Sequence, residues 1–410
     1  MTSRSHPDAG TFRLSILIND TRYRSVTFQI IALFLLCLAF GYLISNLLTN
    51  LRAAGLNISY DFLAEPAGYD INQRPIEYTS QSTHLRASIV GVLNTLVVAI
   101  LACATATVLG VIAGILRLSK NWLVSKIMAI YVEVFRNVPV LIWIIIIFTI
   151  MTAAMPAPKA FRGANAESSM LFDMFAFTNR GVYVPAPQFS NPLFENGFLS
   201  WVLVIAFLLV SFLCAKALRK KASAQQARTG QRPATWHLLL AIWLTPVGAL
   251  MVVMGLYFDY PALKGFNFKG GVQIRGSLIA LWFALAIYTG AFIAENVRAG
   301  ILSVSRGQTE AASALGLRPN RIMNLVILPQ ALRVIIPPMI SHYLNITKNS
   351  SLAIAVGYMD VTGTLGGITL NQTGRAIETI LLLMVFYLTI SLSISAIMNV
   401  YNNSIKLKER

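Results

Sequence analysis

The sequence predicts an all-α integral membrane protein with about eight transmembrane helices. Of its 410 residues, 56% are hydrophobic and only 12% are charged, about half the charged fraction of an ordinary soluble domain. The mean hydropathy of +0.65 arises from apolar runs of about twenty residues, each long enough to cross a hydrocarbon core of about 30 Å. A surplus of 33 basic over 16 acidic residues raises a second reading, a nucleic-acid partner, which the distribution of charge tests.

Eight apolar runs account for the predicted helices. In chain order they are residues 28–48, 88–116, about 128–151, 199–218, 237–257, 276–294, 334–356 and 377–401. No clear cleavage site follows the first run, which favours an uncleaved anchor over a signal peptide. In the second run, Gly91, Gly110 and Gly114 predict close approach of another helix, because small residues let membrane helices pack tightly.

The polar segments between the runs differ strongly in charge from one side to the other. Eight spans put both termini on one side, where the segments carry 21 basic and 5 acidic residues, whereas the opposite side carries 11 basic and 10 acidic residues. Short loops rich in Lys and Arg remain in the cytoplasm, so both termini are predicted to be cytoplasmic. This sidedness explains the positive charge without a nucleic-acid partner.

A polar segment between the sixth and seventh runs has the pattern of a short helix followed by a break. Residues 309–315 are predicted to be helical, since Ala and Leu are good helix formers and Glu310 would lie near the positive end of the helix dipole. Gly316 follows as a left-handed cap with an apolar contact from Leu317, and Pro319 suits the first turn of the next helix. Charge sidedness places this small-residue helix in the cytoplasm, where its alanine face is suited to docking.

Motifs for catalysis are missing from the sequence. No G-x-x-x-x-G-K-[ST] pattern occurs, so the chain has no P-loop of its own, and no Ser/His/Asp or paired-carboxylate arrangement is evident. Cys37, Cys103 and Cys214 lie far apart in apolar runs, without metal-ligand or disulfide spacing, and are expected to be packing residues. We expect no catalytic residue, metal or cofactor in this chain, so any nucleotide hydrolysis that drives it must occur on another polypeptide.

Several motifs together resemble a known family. Glu310-Ala311-Ala312 with Gly316, followed by Val326-Ile327-Leu328-Pro329, resembles the EAA loop of binding-protein-dependent ABC importer permeases, although Val326 stands where Ile is usual. Segments 292–301, 133–139 and 348–353 and the pair Gly307-Gln308 resemble the polar amino-acid uptake subfamily, and most closely the longer permeases of general L-amino-acid transporters. The resemblance covers residues 88–151 and 276–405 well, and residues 1–87 and 152–275 poorly.

The resemblance implies a type I ABC importer permease core with extra N-terminal and central spans. Residues 88–151 and 276–405 would form the two parts of the core, with a cytoplasmic coupling loop at 295–333. Residues 1–87 would comprise a cytoplasmic N-terminus, the first span and a periplasmic loop. Residues 152–275 would comprise a periplasmic loop and two extra spans joined by a basic cytoplasmic linker.

The same resemblance implies a permease subunit of the bacterial inner membrane that moves L-amino acids from a periplasmic binding protein into the cytoplasm. Two ATPase subunits would bind ATP and Mg, and a second, paralogous permease would complete a heterodimer. The residues implied in ATPase coupling are Thr309, Glu310, Ala311, Ala312, Gly316, Leu317 and Pro329. The alternative for this loop is an ordinary amphipathic segment lying on the bilayer.

Polar residues inside the apolar runs are candidates for a substrate pathway, because polarity at membrane depth is costly in lipid. They are Asn94, Thr95, Glu133, Arg136, Tyr288, Thr289, Lys348, Ser350 and Ser351. Each also has a structural reading. Glu133 and Arg136 can pair on one helix face, Lys348 can extend to the membrane interface, and the others can pack helices. Pro139, Pro337 and Pro338 predict kinks or altered entry angles.

A secondary transporter or channel driven by an ion gradient is the alternative function. It would need coupling carboxylates near the membrane midplane or an internal duplication of spans. No run from the second to the eighth has a clear central Asp or Glu, and no duplication is evident. A membrane-anchored structural protein would account for the hydropathy but not for the loop around Glu310 and Gly316. The sequence therefore favours an importer subunit.

Overall fold

The computed structural model describes residues 18, 21–53, 55, 57–163, 166–194 and 197–405, which are mostly helical. Within these residues, seven helices are long and apolar enough to cross a membrane, or eight if one bent pair counts as a single span. This confirms the predicted fold class of about eight transmembrane helices. The basic residues Arg4 and Arg13 and the basic tail at 406–410, both assigned to the cytoplasm, lie outside the described residues.

The chain divides into two compact units, one ending at residue 62 and the other starting at residue 63. The first contains helix α1, Thr21–Ala53, which includes the predicted span and extends beyond it at both ends. Its large apolar side chains, such as Phe34 and Leu43, are exposed, which suits a helix in contact with lipid. A short 3₁₀ turn, Asp61–Ala64, lies at the boundary.

Residues 65–83 belong to the loop that was predicted to follow the first span, and the structure packs them against helix α2, His84–Leu116. Tyr69, Ile71 and Tyr78 are buried and form a small apolar cluster with side chains of α2. The Tyr78 hydroxyl donates to the carbonyl of Tyr69 at 2.8 Å. Burial raises the pKa of Tyr78 to about 12, so this hydroxyl keeps its proton and its hydrogen bond at neutral pH.

The third apolar run is not one straight helix. It consists of α3, Trp122–Asn137, and α4, Val140–Ala154, which meet at an angle of 105°. Proline fixes its own φ, provides no N–H, and disfavours helical geometry in the residue before it; accordingly Val138, before Pro139, is extended. Phe135 and Trp143 stack across the bend with ring centroids 4.2 Å apart. The predicted kink at Pro139 is therefore a sharp break.

Helix α7, Gly276–Leu302, is the centre of the main apolar core. It packs against α2, α4 and α10, the last spanning Leu328–Asn349. A Cβ added to Gly110 would lie 2.5 Å from the Ile293 Cβ, and one added to Gly114 would lie 2.7 Å from the Ala294 carbonyl oxygen. The glycines of α2 therefore allow the close approach that the sequence predicted.

In the described part of the region between α4 and α7 there are two α-helices that pack on each other, a 3₁₀ turn, Pro158–Phe161, and seven short strands. The helices are α5, Gly197–Thr229, and α6, Trp236–Val253. The strands are β1 Ala176–Thr178, β2 Gly181–Val184, β3 Ala186–Phe189, β4 Leu256–Asp259, β5 Ala262–Lys264, β6 Asn267–Lys269 and β7 Val272–Arg275. All pairings are antiparallel, in the orders β1-β2-β7, β3-β4 and β5-β6. The sequence predicted helices α5 and α6 but none of the strands.

The chain after α7 alternates short and long helices. Helix α8, Arg306–Ala314, and helix α9, Pro319–Ile322, precede a π-helical turn, Met323–Ile327, that leads into α10. Helix α10 continues through Pro337 and Pro338 and ends in a 3₁₀ segment, Ser350–Val356. A second π-helical turn, Thr362–Thr369, leads through α11, Leu370–Thr373, to α12, Ala376–Ile405.

Candidate functional site

The predicted docking helix is present as α8, and it ends in the expected left-handed cap. Gly316 has a φ of +75°, a conformation that glycine adopts without steric penalty. The Leu317 N–H donates to the Ala312 carbonyl at 3.3 Å, and the Gly316 N–H donates to the Ser313 carbonyl at 2.9 Å. These two bonds form a Schellman motif, which satisfies carbonyls at the helix end and turns the chain sharply.

The bounds of this helix differ from the prediction. It starts at Arg306, three residues before Thr309, and it ends at Ala314. Glu310 therefore lies in the second turn rather than the first. The flanks of the predicted loop at 295–333 are also helical, because α7 extends to Leu302 and α10 begins at Leu328. The segment that projects between the two long helices is 303–327, which we call the coupling segment.

One face of α8 is turned away from the protein. Ala312 is 5% exposed, whereas Glu310 and Ala311 are exposed and Leu315, at the cap, is 83% exposed. A leucine this exposed beside small alanine side chains gives an apolar surface that another helix or groove can approach closely. Thr309, Leu317 and Pro329 are half-buried at the margins of the segment. We call the surface formed by Glu310, Ala311 and Leu315 the docking face.

Close helix packing supports the base of the coupling segment. A Cβ added to Gly300 of α7 would lie 2.4 Å from the Ile335 Cγ1 and 3.1 Å from the Ala331 carbonyl oxygen of α10. At this point the backbone of α7 is in direct contact with the Ile335 side chain of α10. Because well-packed interiors deform little, a displacement of the docking face is expected to move both helices.

A cluster of charged side chains lies near the same end of the protein. Glu295 of α7 accepts a hydrogen bond from the Arg117 guanidinium just after α2, and another from Arg298 Nη2 at 2.7 Å. The second guanidinium nitrogen of Arg117 lies 3.9 Å from Glu133 Oε1 of α3. The cluster therefore connects three helices, because Arg117, just after α2, contacts both Glu295 of α7 and Glu133 of α3. No spacing in the sequence indicates this contact, since Arg117 and Glu295 are 178 residues apart.

The expected ion pair between Glu133 and Arg136 is wrong, because the structure gives these two residues other partners. Glu133 accepts from the Asn137 amide at 3.3 Å and faces Arg117. The Arg136 guanidinium lies over the Phe292 ring, 5.2 Å from its centroid. The packing of α3 on α7 therefore overrides the three-residue spacing on which the pair was predicted.

The polar pair on α2 lies in the interior of the fold. The Asn94 amide donates to the carbonyls of Gln73 and Met359 at 3.0 and 2.8 Å. The Thr95 hydroxyl donates to the Gly91 carbonyl and accepts from the Val361 N–H. Both residues are fully buried. These bonds hold the turn after the 3₁₀ segment against α2.

The polar residues at the end of α10 lie together on consecutive turns. Ser350 is buried and donates to the Thr347 carbonyl at 2.7 Å, while Ser351 donates to the Lys348 carbonyl at 2.8 Å. Lys348 itself is exposed. On α7, Thr289 is buried and Tyr288 is half-buried beside Phe292. Lys348, Ser350 and Ser351 thus form one patch, whereas Glu133 and Arg136 lie near the coupling end of α7.

A buried carboxylate, Asp360, was not predicted from the sequence. Asp360 is fully buried in the turn between the seventh and eighth apolar helices, where its Oδ1 accepts from the Gly363 N–H at 2.8 Å. Asp360 lies outside the apolar runs, so a search of those runs for carboxylates does not include it. Among the described residues, no three His, Cys, Asp or Glu side chains are grouped as metal ligands.

The chain is similar to several known proteins. A family model described as "binding-protein-dependent transport system inner membrane component" matches residues 233–407. The chain is 52% identical to the glutamate/glutamine/aspartate/asparagine transport system permease protein BztB of Rhodobacter capsulatus, over 100% of both chains. It is 39% identical to the general L-amino acid transport system permease protein AapQ of Rhizobium johnstonii, over 100% of this chain and 98% of that protein. A crystal structure of an amino acid ABC transporter with histidines is similar with a TM-score of 0.44 and 17% identity, over 78% of this chain and 95% of that chain.

Proposed function

Because the chain belongs to the binding-protein-dependent amino-acid ABC transporter permeases, we propose that it imports L-amino acids by coupling its docking face to a separate ATPase subunit. The exposed surface of α8, ending in the Schellman cap at Gly316, is the observation that carries this proposal. This surface lies in the segment that connects two long core helices. Such a surface transmits movement of a partner to the membrane core.

The proposed partners follow from the family and from the composition of the chain. Two ATPase subunits bind ATP and Mg, since this sequence has no P-loop. One chain provides one docking face, so a second permease, proposed to be a paralogue, completes the membrane part. A periplasmic binding protein delivers the amino acid. The chain is a multi-pass membrane protein, and charge sidedness supports cytoplasmic termini and a cytoplasmic coupling segment.

The proposed cycle is alternating access. ATP-driven closure of the ATPase pair draws the two docking faces together and opens the pathway to the periplasm, and hydrolysis restores the inward-facing state. The patch formed by Lys348, Ser350 and Ser351 is proposed to line the pathway. The exposed ammonium group of Lys348 suits the carboxylate of an amino acid, whereas the protons of both hydroxyls are already donated to backbone carbonyls. The names of the relatives support L-amino acids as the cargo, including glutamate, glutamine, aspartate and asparagine.

Substitution of Gly316 by aspartate tests the coupling role. A side chain at a φ of +75° strains the cap, and the added charge disturbs the docking face while the membrane helices still insert. We expect insertion into the membrane with ATP hydrolysis no longer stimulated by the loaded binding protein. Gly265→Asp is the matched control, because Gly265 has a φ of +70° with nothing within 4 Å of an added Cβ and lies in the β5–β6 turn.

Uptake by vesicles that contain the reconstituted complex tests the function as a whole. Amino-acid uptake should require ATP and the binding protein. Uptake that persists on an ion gradient alone would show that the chain is a secondary transporter. Full substrate-stimulated hydrolysis in Gly316→Asp would show that α8 is not the coupling helix.

A further inference from the structure

A polar cavity of about 490 Å³ lies at the end of α7 opposite the coupling segment. Helix α7 has 27 residues and is therefore about 40 Å long. The polar side chains that line the cavity include those of Asn179, Arg180, Asn267, Arg275 and Ser277. Its volume is in the range of small-molecule sites, and the lining contains two arginines and no acidic residue.

The two arginines are brought together by strand pairing. Arg275, at the end of β7, is directly opposite Gly181 of β2, and Arg180 precedes Gly181 in the chain. An added Cβ at Gly181 would lie 2.3 Å from the Ile274 carbonyl oxygen, so glycine permits this approach. Within the described part of the chain, neither guanidinium forms a salt bridge.

Both arginines also lie close enough to the Tyr183 hydroxyl to affect its pKa. Burial raises the pKa of Tyr183, while its hydrogen bond to Asn267 and the charges of Arg180 and Arg275 act in the opposite direction. Both guanidinium groups therefore act on one buried position. The Tyr183 hydroxyl donates to Asn267 Oδ1 at 2.7 Å, and this bond orients the Asn267 amide at the wall of the cavity.

The start of α7 adds positive potential to the same cavity. Gly276 and Ser277, the first two residues of the helix, line it. The residue before them, Arg275, makes no side-chain cap hydrogen bond. The first N–H groups of a helix have no partner within the helix and attract anions. Two guanidinium groups and a helix N-terminus thus border one volume.

Asn179 supplies a hydrogen-bond acceptor, its side-chain oxygen, in contrast to the positively charged donors of the two arginines. Its Oδ1 is buried and has no hydrogen-bond partner among the described residues, while its backbone N–H donates to the Pro156 carbonyl at 2.9 Å and fixes its position. An unpaired buried acceptor is costly, and because this oxygen has less than 1 Å² of exposed area, the Asn179 side chain would have to rotate for a ligand in the cavity to donate to it. An ammonium group is such a donor.

We propose that this cavity is an outer subsite for an amino acid with a carboxylate side chain, in which Arg180, Arg275 and the start of α7 hold the carboxylates and Asn179 accepts from the ammonium. The inference rests on the proposed import function, which places this end of α7 on the periplasmic side. Val356 and Gly357 also line the cavity. Val356 is the last residue of the 3₁₀ segment that contains Ser350 and Ser351, and Gly357 follows it as the cap. The subsite therefore lies next to the proposed pathway.

The test is direct binding to the complete complex in nanodiscs, without the binding protein. L-aspartate and L-asparagine are titrated in parallel, because they differ by one carboxylate in nearly the same shape. Aspartate is expected to bind more tightly. Arg180→Gln and Arg275→Gln should each weaken aspartate binding about tenfold or more, since each removes a charge-assisted hydrogen bond. Lys264→Gln, on the neighbouring β5 and outside the cavity lining, should leave binding unchanged.

Two further ligands separate the recognition of carboxylate from that of ammonium. Succinate keeps both carboxylates and lacks the ammonium, so Asn179→Ala should weaken aspartate binding but not succinate binding. Inorganic phosphate tests for a general anion site, and phosphate binding as tight as that of aspartate would overturn the proposal. Equal binding of aspartate and asparagine, or unchanged binding in Arg180→Gln, would also overturn it. If ATP-dependent uptake persists in that case, the subsite has failed and the import function stands.

Discussion

Replacing Glu295 with glutamine should loosen the connection between three helices at the coupling end of the protein. Glu295 of α7 accepts from Arg117, just after α2, and from Arg298, and Arg117 also faces Glu133 of α3. Glutamine has nearly the same shape but only one acceptor oxygen and no charge. Both Arg117 and Arg298 therefore lose this anionic partner, and only one acceptor oxygen remains for them, without a cavity being formed.

The burial of the pair sets the expected magnitude. The Arg117 and Glu295 side chains are 16% and 24% exposed, between a surface ion pair and a buried one. Exposed pairs contribute about 0–1 kcal/mol, and removing one partner of a buried pair costs about 3–5 kcal/mol. We therefore expect Glu295→Gln to lower the free energy of unfolding by about 2 kcal/mol.

A double-mutant cycle isolates the contact itself. Glu295→Gln, Arg117→Gln and the double variant are unfolded by a denaturing-detergent titration that is followed by circular dichroism. The double variant should be less destabilised than the sum of the single variants, with a coupling energy above about 1 kcal/mol. The exposed pair Asp70 and Arg74, 3.5 Å apart, provides the control cycle, in which coupling below about 1 kcal/mol is expected. Equal coupling energies in the two cycles would refute the inferred role of Glu295.

Two other substitutions test the packing and the hydrogen bonds of α2 by the same unfolding assay. Gly110→Ala should destabilise the protein by about 1–3 kcal/mol, because the new Cβ would lie 2.5 Å from the Ile293 Cβ. The control is Gly248→Ala, which should not destabilise the protein because nothing lies within 4 Å of its new Cβ. Similar losses of stability in both variants would contradict the packing argument. Asn94→Ala should cost about 2–3 kcal/mol, since the buried Asn94 amide is lost and two partly buried carbonyls lose their donor. The control is Asn371→Ala, which removes an exposed amide that bonds within one helical turn and should cost under about 0.5 kcal/mol of stability. An equally small loss of stability in Asn94→Ala would favour a role for Asn94 in the pathway alone.

The parts of the fold that were predicted correctly depend on neighbours in the sequence. Runs of about twenty apolar residues specify helices that can cross a membrane, and the Gly316 cap follows from the conformational freedom of one glycine after an alanine-rich helix. The break at Pro139 has an equally local cause, because the proline ring restricts its own φ and the preceding residue. The roles assigned to the coupling and pathway residues stay predictions.

Contacts between distant parts of the chain were not predictable in this way. The pair of Glu133 and Arg136 was inferred from helix spacing, yet α7 supplies Phe292 to Arg136, and Arg117 approaches Glu133 from the end of α2. The strands between α4 and α7 are three or four residues each, too short for a periodic pattern to stand out from a loop.

The sequence by itself determined that this protein lies in a membrane, the number of its apolar spans and the presence of a short helix capped at Gly316. Each of these depends on local composition or on the conformational range of single residues. Only the tertiary structure decided that Arg117 meets Glu295 and that Arg180 lies beside Arg275 at the start of α7. Both pairs join segments more than ninety residues apart, and such contacts are fixed by the packing of helices and the register of strands, which no short stretch of sequence specifies.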